Sequence, residues 1–251
     1  MIRRIAFVLL VLPYTGVMFV LSCLGLLLDP LRGRGAHFIG RTWAKGLLAL
    51  VGVRLSVTYP ERWTKEPCVV VANHSSYLDI PALMIAFPGQ LRIVARRSLV
   101  WIPFIGWYVW VGGHFFIDRD DPRQARRLFD RIAFRMRHRG ASALVFPEGT
   151  RSVDGRLGPL KSGALWLPLA VEAPIQPVAL FGSRDVLPKG SWVPVRTGAI
   201  EVRVGATIPT AGRGPSARKA LTAEVRDAFL GLGVPEGDPV APSGGGAPAS
   251  S

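Results

Sequence analysis

The chain has 251 residues, of which 49% are hydrophobic, and it carries 31 Lys and Arg against 17 Asp and Glu. This apolar content excludes a largely disordered protein, and the length suits one α/β domain with a sizeable core. The formal net charge of +14 indicates an anionic partner, such as nucleic acid, an acidic membrane surface or a phosphorylated or acidic substrate. Because two cysteines, Cys23 and Cys68, cannot make a disulfide framework, a reducing compartment is the simplest interpretation.

The first feature along the chain is an uncharged run from Ile5 to Leu28. As a helix it would be about 36 Å long, enough to cross a bilayer core of about 30 Å. Pro13 and Gly16 predict a break near its middle. A second apolar stretch, Trp43 to Val53, follows a short turn. Residues 1–52 are therefore expected to form two membrane-associating helices, as a monotopic hairpin or, as the runner-up, with a single span.

Basic residues flank the apolar run on both sides. The positive-inside bias then predicts that the bulk of the chain lies on the cytoplasmic face of the inner membrane, with its basic side chains among anionic headgroups. The run is longer than that of a signal peptide and no A-x-A site closes it, so it is expected to stay in the mature protein. The flanking cations include Arg3, Arg4, Arg32, Arg34, Arg41, Lys45 and Arg54.

Short β-branched runs alternate with helical patterns beyond this point, which predicts an α/β domain over residues 53–232. Asp121 is expected to cap a helix that begins at Pro122, with Arg135 among the arginines on its outer face. A last helix is predicted at about Ser216 to Leu230, and the Pro/Gly/Ser/Ala-rich composition of 233–251 predicts a disordered tail. The predicted strands are Val53–Tyr59, Cys68–Ala72, Leu91–Ala95, Phe115–Ile117, Ala143–Phe146, Ile175–Phe181 and Ile200–Val204.

The segment NHSSYLD follows the strand that ends at Ala72. Its His74 and Asp79 are five residues apart, so they can meet only if a turn intervenes and Asp79 lies near a helix start, which Pro81 fits. A carboxylate beside an imidazole fixes the tautomer and makes the other ring nitrogen a usable base. The alternative is that His74 merely closes a turn.

The segment FPEGTRS also follows an apolar strand, which ends at Phe146. Glu148 and Arg151 are three apart around a glycine, so the guanidinium could present its planar fork to an anion. Glu148 would hold a neighbouring donor or bind a substrate hydroxyl. The alternative is a surface turn with an ordinary ion pair. In the segment Ala173 to Leu180, two prolines indicate an edge strand.

Together, NHSSYLD, GGHFFIDR, FPEGTRS and APIQPVAL resemble, in this order, the four blocks of the 1-acylglycerol-3-phosphate acyltransferase family, from about Val53 to Val204. The resemblance implies the glycerolipid acyltransferase α/β fold, a mixed sheet flanked by helices with an N-terminal apolar two-helix membrane motif and a hydrophobic tunnel for the acyl chain. One departure is Arg96-Arg97, which stands where the family often has Lys.

The resemblance also implies roles for individual residues. His74 would be the general base and Asp79 the residue that orients it. Arg119 and Arg151 would bind the acceptor phosphate. The other substrate-binding residues would be Glu148, Gly149 and Thr150, and no metal is implied.

The implied reaction moves a fatty acyl group from acyl-CoA or acyl-acyl carrier protein to the sn-2 hydroxyl of 1-acylglycerol-3-phosphate, without a cofactor. No Gly-x-Ser-x-Gly elbow is present and neither cysteine has a His nearby in sequence, which favours direct attack over an acyl-enzyme. Another lyso-lipid, such as lyso-ornithine lipid, is the alternative acceptor. A nucleic-acid-binding protein and a non-catalytic membrane adaptor are the alternatives to an enzyme, but no recognised nucleic-acid motif is present. The expected partners are therefore the lysophospholipid, the thioester donor, an anionic membrane surface and acyl carrier protein.

Overall fold

A computed structural model describes residues 2–29, 33–59, 61–101, 105–117 and 122–237. Its helices are α1 (Ile2–Leu28), α2 (Arg34–Val51), α3 (Asp79–Ala86), α4 (Ile105–Val111), α5 (Pro122–Arg139), α6 (Trp166–Val171), α7 (Ser183–Val186) and α8 (Arg218–Gly231). Its strands are β1 (Val53–Thr58), β2 (Val69–Ala72), β3 (Gln90–Arg96), β4 (Phe115–Ile117), β5 (Ala141–Val145), β6 (Ile175–Phe181) and β7 (Gly198–Val204).

The strands form one mixed sheet in the order β1-β7-β6-β2-β5-β3-β4. Only β6 and β7 run antiparallel among these neighbouring pairs. All seven predicted strands are confirmed, but the expectation that Ile175–Phe181 is an edge strand is wrong, because β6 lies between β7 and β2. Pro177 is tolerated there because pairing with β7 begins at Val178, and the Pro177 carbonyl still accepts from the Gly205 N–H, so the missing donor falls at the end of the ladder.

Strand β2 separates two hydrophobic cores. Val70 and Ala72 face a core that includes side chains of α2 and α3, whereas Val69 and Val71 face one built with α5, α6 and α8. All four residues of β2 are fully buried. This is why the run is continuously apolar, as expected of a parallel strand covered by helices on both faces.

Helix α1 continues through Pro13, so the predicted break is absent. The residues that follow Pro13 are held against α2: the Tyr14 hydroxyl donates to the Thr42 carbonyl over 3.1 Å, and the Trp43 indole N–H donates to the Thr15 hydroxyl over 3.2 Å. The segment Phe7–Leu28 is long and apolar enough to span a bilayer: its mean hydropathy is 2.3 and only 11% of an 18-residue stretch within it is buried. An exposed face this apolar indicates association with a membrane.

Helix α2 begins at Arg34, nine residues before the predicted apolar stretch, because its first half packs one face against the domain. Arg41 was expected among lipid headgroups. Its guanidinium instead donates to the Ile85 carbonyl over 2.8 Å and so connects α2 to α3. Similarly, Nε2 of His37 donates to the Gly89 carbonyl over 3.0 Å.

Helices α5 and α8 lie close to their predicted positions, although the predicted cap Asp121 is outside the described residues. Arg135 does not lie on the outer face of α5 as predicted. Its Nη1 donates to the Gly113 carbonyl over 2.9 Å, and its guanidinium lies 5.6 Å from the centroid of the Phe115 ring. The long arginine side chain can cover the edge of the core while its charged end reaches a carbonyl.

The ordered chain extends past residue 232, the predicted end of the domain. Val234 is buried in the core beside α8. The Leu157 N–H donates to the Pro235 carbonyl over 2.8 Å, and the Gly237 N–H donates back to the Leu157 carbonyl over 3.2 Å. The disorder predicted from residue 233 is therefore wrong for residues 233–237, because one buried valine and backbone pairing hold them; residues 238–251 lie outside the described ranges.

Candidate active site

Three neighbouring parallel strands, β6, β2 and β5, end at the same edge of the sheet. Polar groups gather at such an edge in α/β folds. NHSSYLD follows β2, FPEGTRS follows β5 and Ser183 follows β6. The Ser152 N–H donates to the His74 carbonyl over 2.7 Å, so the loops after β2 and β5 are directly joined.

His74 and Asp79 form a hydrogen-bonded pair at this edge. Asp79 is the first residue of α3, and its Oδ2 lies 2.8 Å from Nδ1 of His74. The backbone N–H groups of Ser75 and Ser76 each donate to the same oxygen over 2.8 Å. The Asp79 side chain is fully buried, whereas that of His74 is 14% exposed. Because Nδ1 carries the proton shared with the carboxylate, Nε2 is left as the acceptor.

The second oxygen of Asp79 is also occupied. The Ser183 hydroxyl donates to Oδ1, and the hydroxyl oxygens of Ser75 and Ser183 are 3.0 Å apart. Ser183 is not among the site residues predicted from the sequence. Its only signal is that it follows Gly182 just after a buried strand, where functional side chains gather.

The imidazole of His74 is also fixed by an aromatic contact. The ring of Phe146 stacks on it with the centroids 4.0 Å apart and an interplanar angle of 18°. Within the described part of the chain, no hydroxyl or thiol hydrogen-bonds to Nε2 of His74. Burial raises the pKa of the Cys68 thiol to about 12, so it supplies no thiolate near neutral pH.

Glu148 joins the loop after β5 to the loop after β2. It is buried, its Oε1 accepts from the His74 N–H over 2.8 Å, and its Oε2 accepts from the Gly158 N–H over 3.2 Å. Burial raises the pKa of Glu148, and the N–H groups of His74 and Gly158 act in the opposite direction. Glu148 makes no ion pair with Arg151 in the part of the chain that the structure describes.

Arg151 supplies a positive charge beside the pair. Its guanidinium carbon lies 3.7 Å from the centroid of the Tyr77 ring, and its Nη1 is buried without a hydrogen-bond partner among the described residues. Stacking occupies the face of the guanidinium and leaves its N–H edge available to an anion. Gly149 has a φ of 71°, a left-handed conformation that permits the turn before Thr150. Arg119 lies outside the described residues.

A cavity of about 250 Å³ is lined in part by residues of FPEGTRS. Gly237 of the C-terminal segment is also one of its lining residues. Among the described residues, no cluster of three or more His, Cys, Asp or Glu could hold a metal ion. The polar lining comes from Glu148, Thr150, Ser152, Asp154 and Arg156.

An imidazole held by a buried carboxylate, with a cation on the neighbouring loop, is an arrangement typical of enzymes that remove a proton from a substrate. The profile of the Acyltransferase family matches residues 54–181. The chain is also 31% identical over 220 residues to 1-acyl-sn-glycerol-3-phosphate acyltransferase alpha of Homo sapiens, covering 86% of this chain and 77% of the human protein. The chain belongs to this acyltransferase family.

Two further relatives agree. The chloroplastic 1-acyl-sn-glycerol-3-phosphate acyltransferase of Brassica napus is 35% identical over 187 residues, which cover 74% of this chain and 52% of the plant protein, so this chain spans about half of its length. The crystal structure of the 1-acyl-sn-glycerophosphate (LPA) acyltransferase PlsC from Thermotoga maritima is similar in fold, with a TM-score of 0.70 at 24% identity over 92% of this chain and 96% of that one. The mixed sheet flanked by helices is thus the fold of this family of enzymes.

Proposed function

We propose that this enzyme transfers a fatty acyl group from a thioester donor to the sn-2 hydroxyl of 1-acylglycerol-3-phosphate, which gives phosphatidic acid. The observation that carries the proposal is the 2.8 Å contact between Nδ1 of His74 and Oδ2 of Asp79, while Nε2 has no hydrogen-bond partner among the described residues. The relatives named above are acyltransferases for this acceptor. A nucleic-acid-binding protein or an adaptor would leave this pair without a role.

In the proposed reaction, Nε2 of His74 takes the proton of the acceptor hydroxyl while its oxygen attacks the thioester carbonyl. The imidazolium that forms is stabilised by the buried carboxylate of Asp79. When the tetrahedral intermediate collapses, the carbon–sulfur bond breaks and the imidazolium returns the proton to the leaving thiolate. No acyl-enzyme is needed, because the acceptor oxygen is itself the nucleophile.

The phosphate of the acceptor is proposed to bind at Arg151. The guanidinium is unpaired within the described residues, and Nη1 gains a hydrogen-bond partner when an anionic oxygen reaches it. Arg119 is proposed as a second contact, from its place in the matching motif. Gly149 shapes the turn, and Thr150 and Glu148 complete the loop around the acceptor.

The donor is proposed to be acyl-CoA or acyl-acyl carrier protein, with no cofactor. The exposed apolar face of α1 indicates that the enzyme meets its lipid substrate at a membrane. We place residues 1–52 in one leaflet on the cytoplasmic face of the inner membrane, with the cations of this segment other than Arg41 near anionic headgroups.

An acceptor panel tests the proposal. The purified full chain is given each thioester donor and one of three acceptors: 1-acylglycerol-3-phosphate, lyso-ornithine lipid or monoacylglycerol, with the product identified by mass. We expect product chiefly from the phosphate-bearing acceptor. More product from lyso-ornithine lipid than from 1-acylglycerol-3-phosphate would contradict the proposal and identify lyso-ornithine lipid as the acceptor.

A further inference from the structure

The loop between β6 and β7 reaches both catalytic motifs, although it belongs to neither. At its start, the Ser76 hydroxyl of NHSSYLD donates to the Leu187 carbonyl over 2.7 Å. Further along, the ring of Trp192 lies 5.6 Å from that of Tyr77, between centroids. Between these two contacts, Nζ of Lys189 lies 3.4 Å from Oγ1 of Thr150 in FPEGTRS. These three contacts hold the loop against both motifs.

Tyr77 contacts both the β6–β7 loop and Arg151. One ring contact is with Trp192, whose side chain is 68% exposed, and another is with the guanidinium of Arg151, 3.7 Å from the ring centroid. A cation that lies over the face of an aromatic ring is attracted to that ring. Trp192 of the β6–β7 loop therefore contacts the same ring that holds the guanidinium of Arg151.

Two cations flank Thr150 without a carboxylate partner in the described part of the chain. These are Arg151, its neighbour in sequence, and Lys189, which reaches it from the β6–β7 loop. Arg196 on the same loop differs, because it pairs with Asp185 over 3.2 Å. Both cations therefore lack a counter-charge among the described residues, and a bound phosphate dianion would supply one.

We propose that Lys189 is a specificity-determining residue that binds the phosphate of the acceptor together with Arg151. This inference rests on the proposed function. An ammonium is a compact charge with three rotatable donors, so Lys189 can follow a phosphate that the planar fork of Arg151 orients. Because an acceptor without phosphate offers nothing to either cation, the β6–β7 loop favours phosphate monoesters over neutral lyso-lipids.

The test compares Lys189→Gln with two matched variants of the full chain. Lys189→Arg keeps the charge, and Arg196→Gln removes an exposed cation of the same loop that already has a partner. KM and kcat are measured for 1-acylglycerol-3-phosphate and for monoacylglycerol in neutral detergent micelles, so that lipid headgroups contribute no charge. Circular dichroism confirms that each variant is folded.

Lys189→Gln is expected to raise KM for the phosphate-bearing acceptor about tenfold, with kcat nearly unchanged and no effect on monoacylglycerol. The KM of Lys189→Arg for this acceptor should stay within about threefold of the wild-type value. The KM of Arg196→Gln should equal the wild-type value. An unchanged KM in Lys189→Gln, or an equal rise in Arg196→Gln, would overturn the inference while leaving the proposed function in place. If the wild-type enzyme itself does not distinguish the two acceptors, the proposed phosphate acceptor and the inference both fall.

Discussion

The backbone N–H of His74 donates to Oε1 of Glu148 over 2.8 Å, so the residue proposed as base is held by the loop proposed to bind the acceptor. The second oxygen of this carboxylate holds the Gly158 N–H over 3.2 Å. A buried carboxylate with two backbone donors is costly to move, because either N–H would be left unsatisfied. The loop that carries the proposed base and the loop proposed to bind the acceptor are therefore held together by this carboxylate.

Removing the imidazole should abolish acyl transfer without unfolding the protein. His74→Ala is expected to lower kcat by about 10²–10⁴-fold, the usual contribution of a general base. His138→Ala, at an exposed histidine of α5, is the control and should retain wild-type turnover. Turnover is measured with saturating thioester and acceptor. Retention of more than a tenth of the activity in His74→Ala would show that another group removes the proton.

Ser183 is expected to act only through Asp79. Ser183→Ala removes the hydroxyl that donates to Oδ1, while the three donors to Oδ2 remain. One lost hydrogen bond to a charged group predicts that kcat falls about tenfold with KM unchanged. Asp79→Asn, which misorients the imidazole, should cost more. A change in KM instead of kcat would place Ser183 at the substrate and not behind the carboxylate.

Arg151 should affect binding more than chemistry. Arg151→Ala is expected to raise KM for 1-acylglycerol-3-phosphate strongly, because the phosphate loses a charge-assisted hydrogen bond. Arg151→Lys should restore only part of the affinity for the acceptor, since the planar guanidinium and its contact with the Tyr77 ring are lost. Steady-state kinetics over a range of acceptor concentrations give both parameters. An unchanged KM in Arg151→Ala would remove this residue from the phosphate site.

The C-terminal segment should support the acceptor loop. Ending the chain after Val234 keeps the buried valine but removes both hydrogen bonds to Leu157, next to the Gly158 that holds Glu148. Two hydrogen bonds of about 1 kcal/mol each amount to about 2 kcal/mol, which predicts a loss of up to about thirtyfold in kcat/KM. The matched control ends after Gly237 and should equal the full chain. Equal activity of the two truncated chains would mean that the segment does not position this loop.

His37 should make stability fall in mild acid. The pKa of His37 is lowered to about 4, chiefly by burial and next by the charge of Arg92. Arg41 also lowers this pKa, whereas the hydrogen bond to the Gly89 carbonyl raises it. The unfolded chain therefore binds the proton more readily, so stability is full above about pH 6.5 and is lost as the pH falls toward 4. The shift corresponds to about 3 kcal/mol.

Denaturant unfolding of the detergent-bound protein between pH 4 and 7 measures this dependence. His37→Gln keeps a donor for the Gly89 carbonyl and should show a shallower fall in stability with acid. Buried His114, whose pKa is also lowered, supplies part of the slope that remains. His138→Gln, at an exposed site, should follow the wild type. An identical slope in His37→Gln would contradict the assignment.

The local pattern of the chain determined its elements and where its chemistry lies. Alternating β-branched runs and helical stripes predicted all seven strands, because burial on one or both faces is visible in residue order. The spacing of His74, Asp79 and Pro81 predicted a turn before a helix, and Asp79 does begin α3. The motif order was enough to identify the family, which the relatives confirm.

Only the tertiary structure decided contacts between segments that are distant along the chain. Ser183 is 104 residues from Asp79, and it reaches that carboxylate because β6 pairs with β2. Pro13 does not break α1, since α2 supports the residues after it, and buried Val234 holds residues 233–237, which belong to a segment whose composition suggests disorder. Local propensity contributes a fraction of the free energy that burial and long-range hydrogen bonds supply, so these contacts override it and sequence order alone does not reveal them.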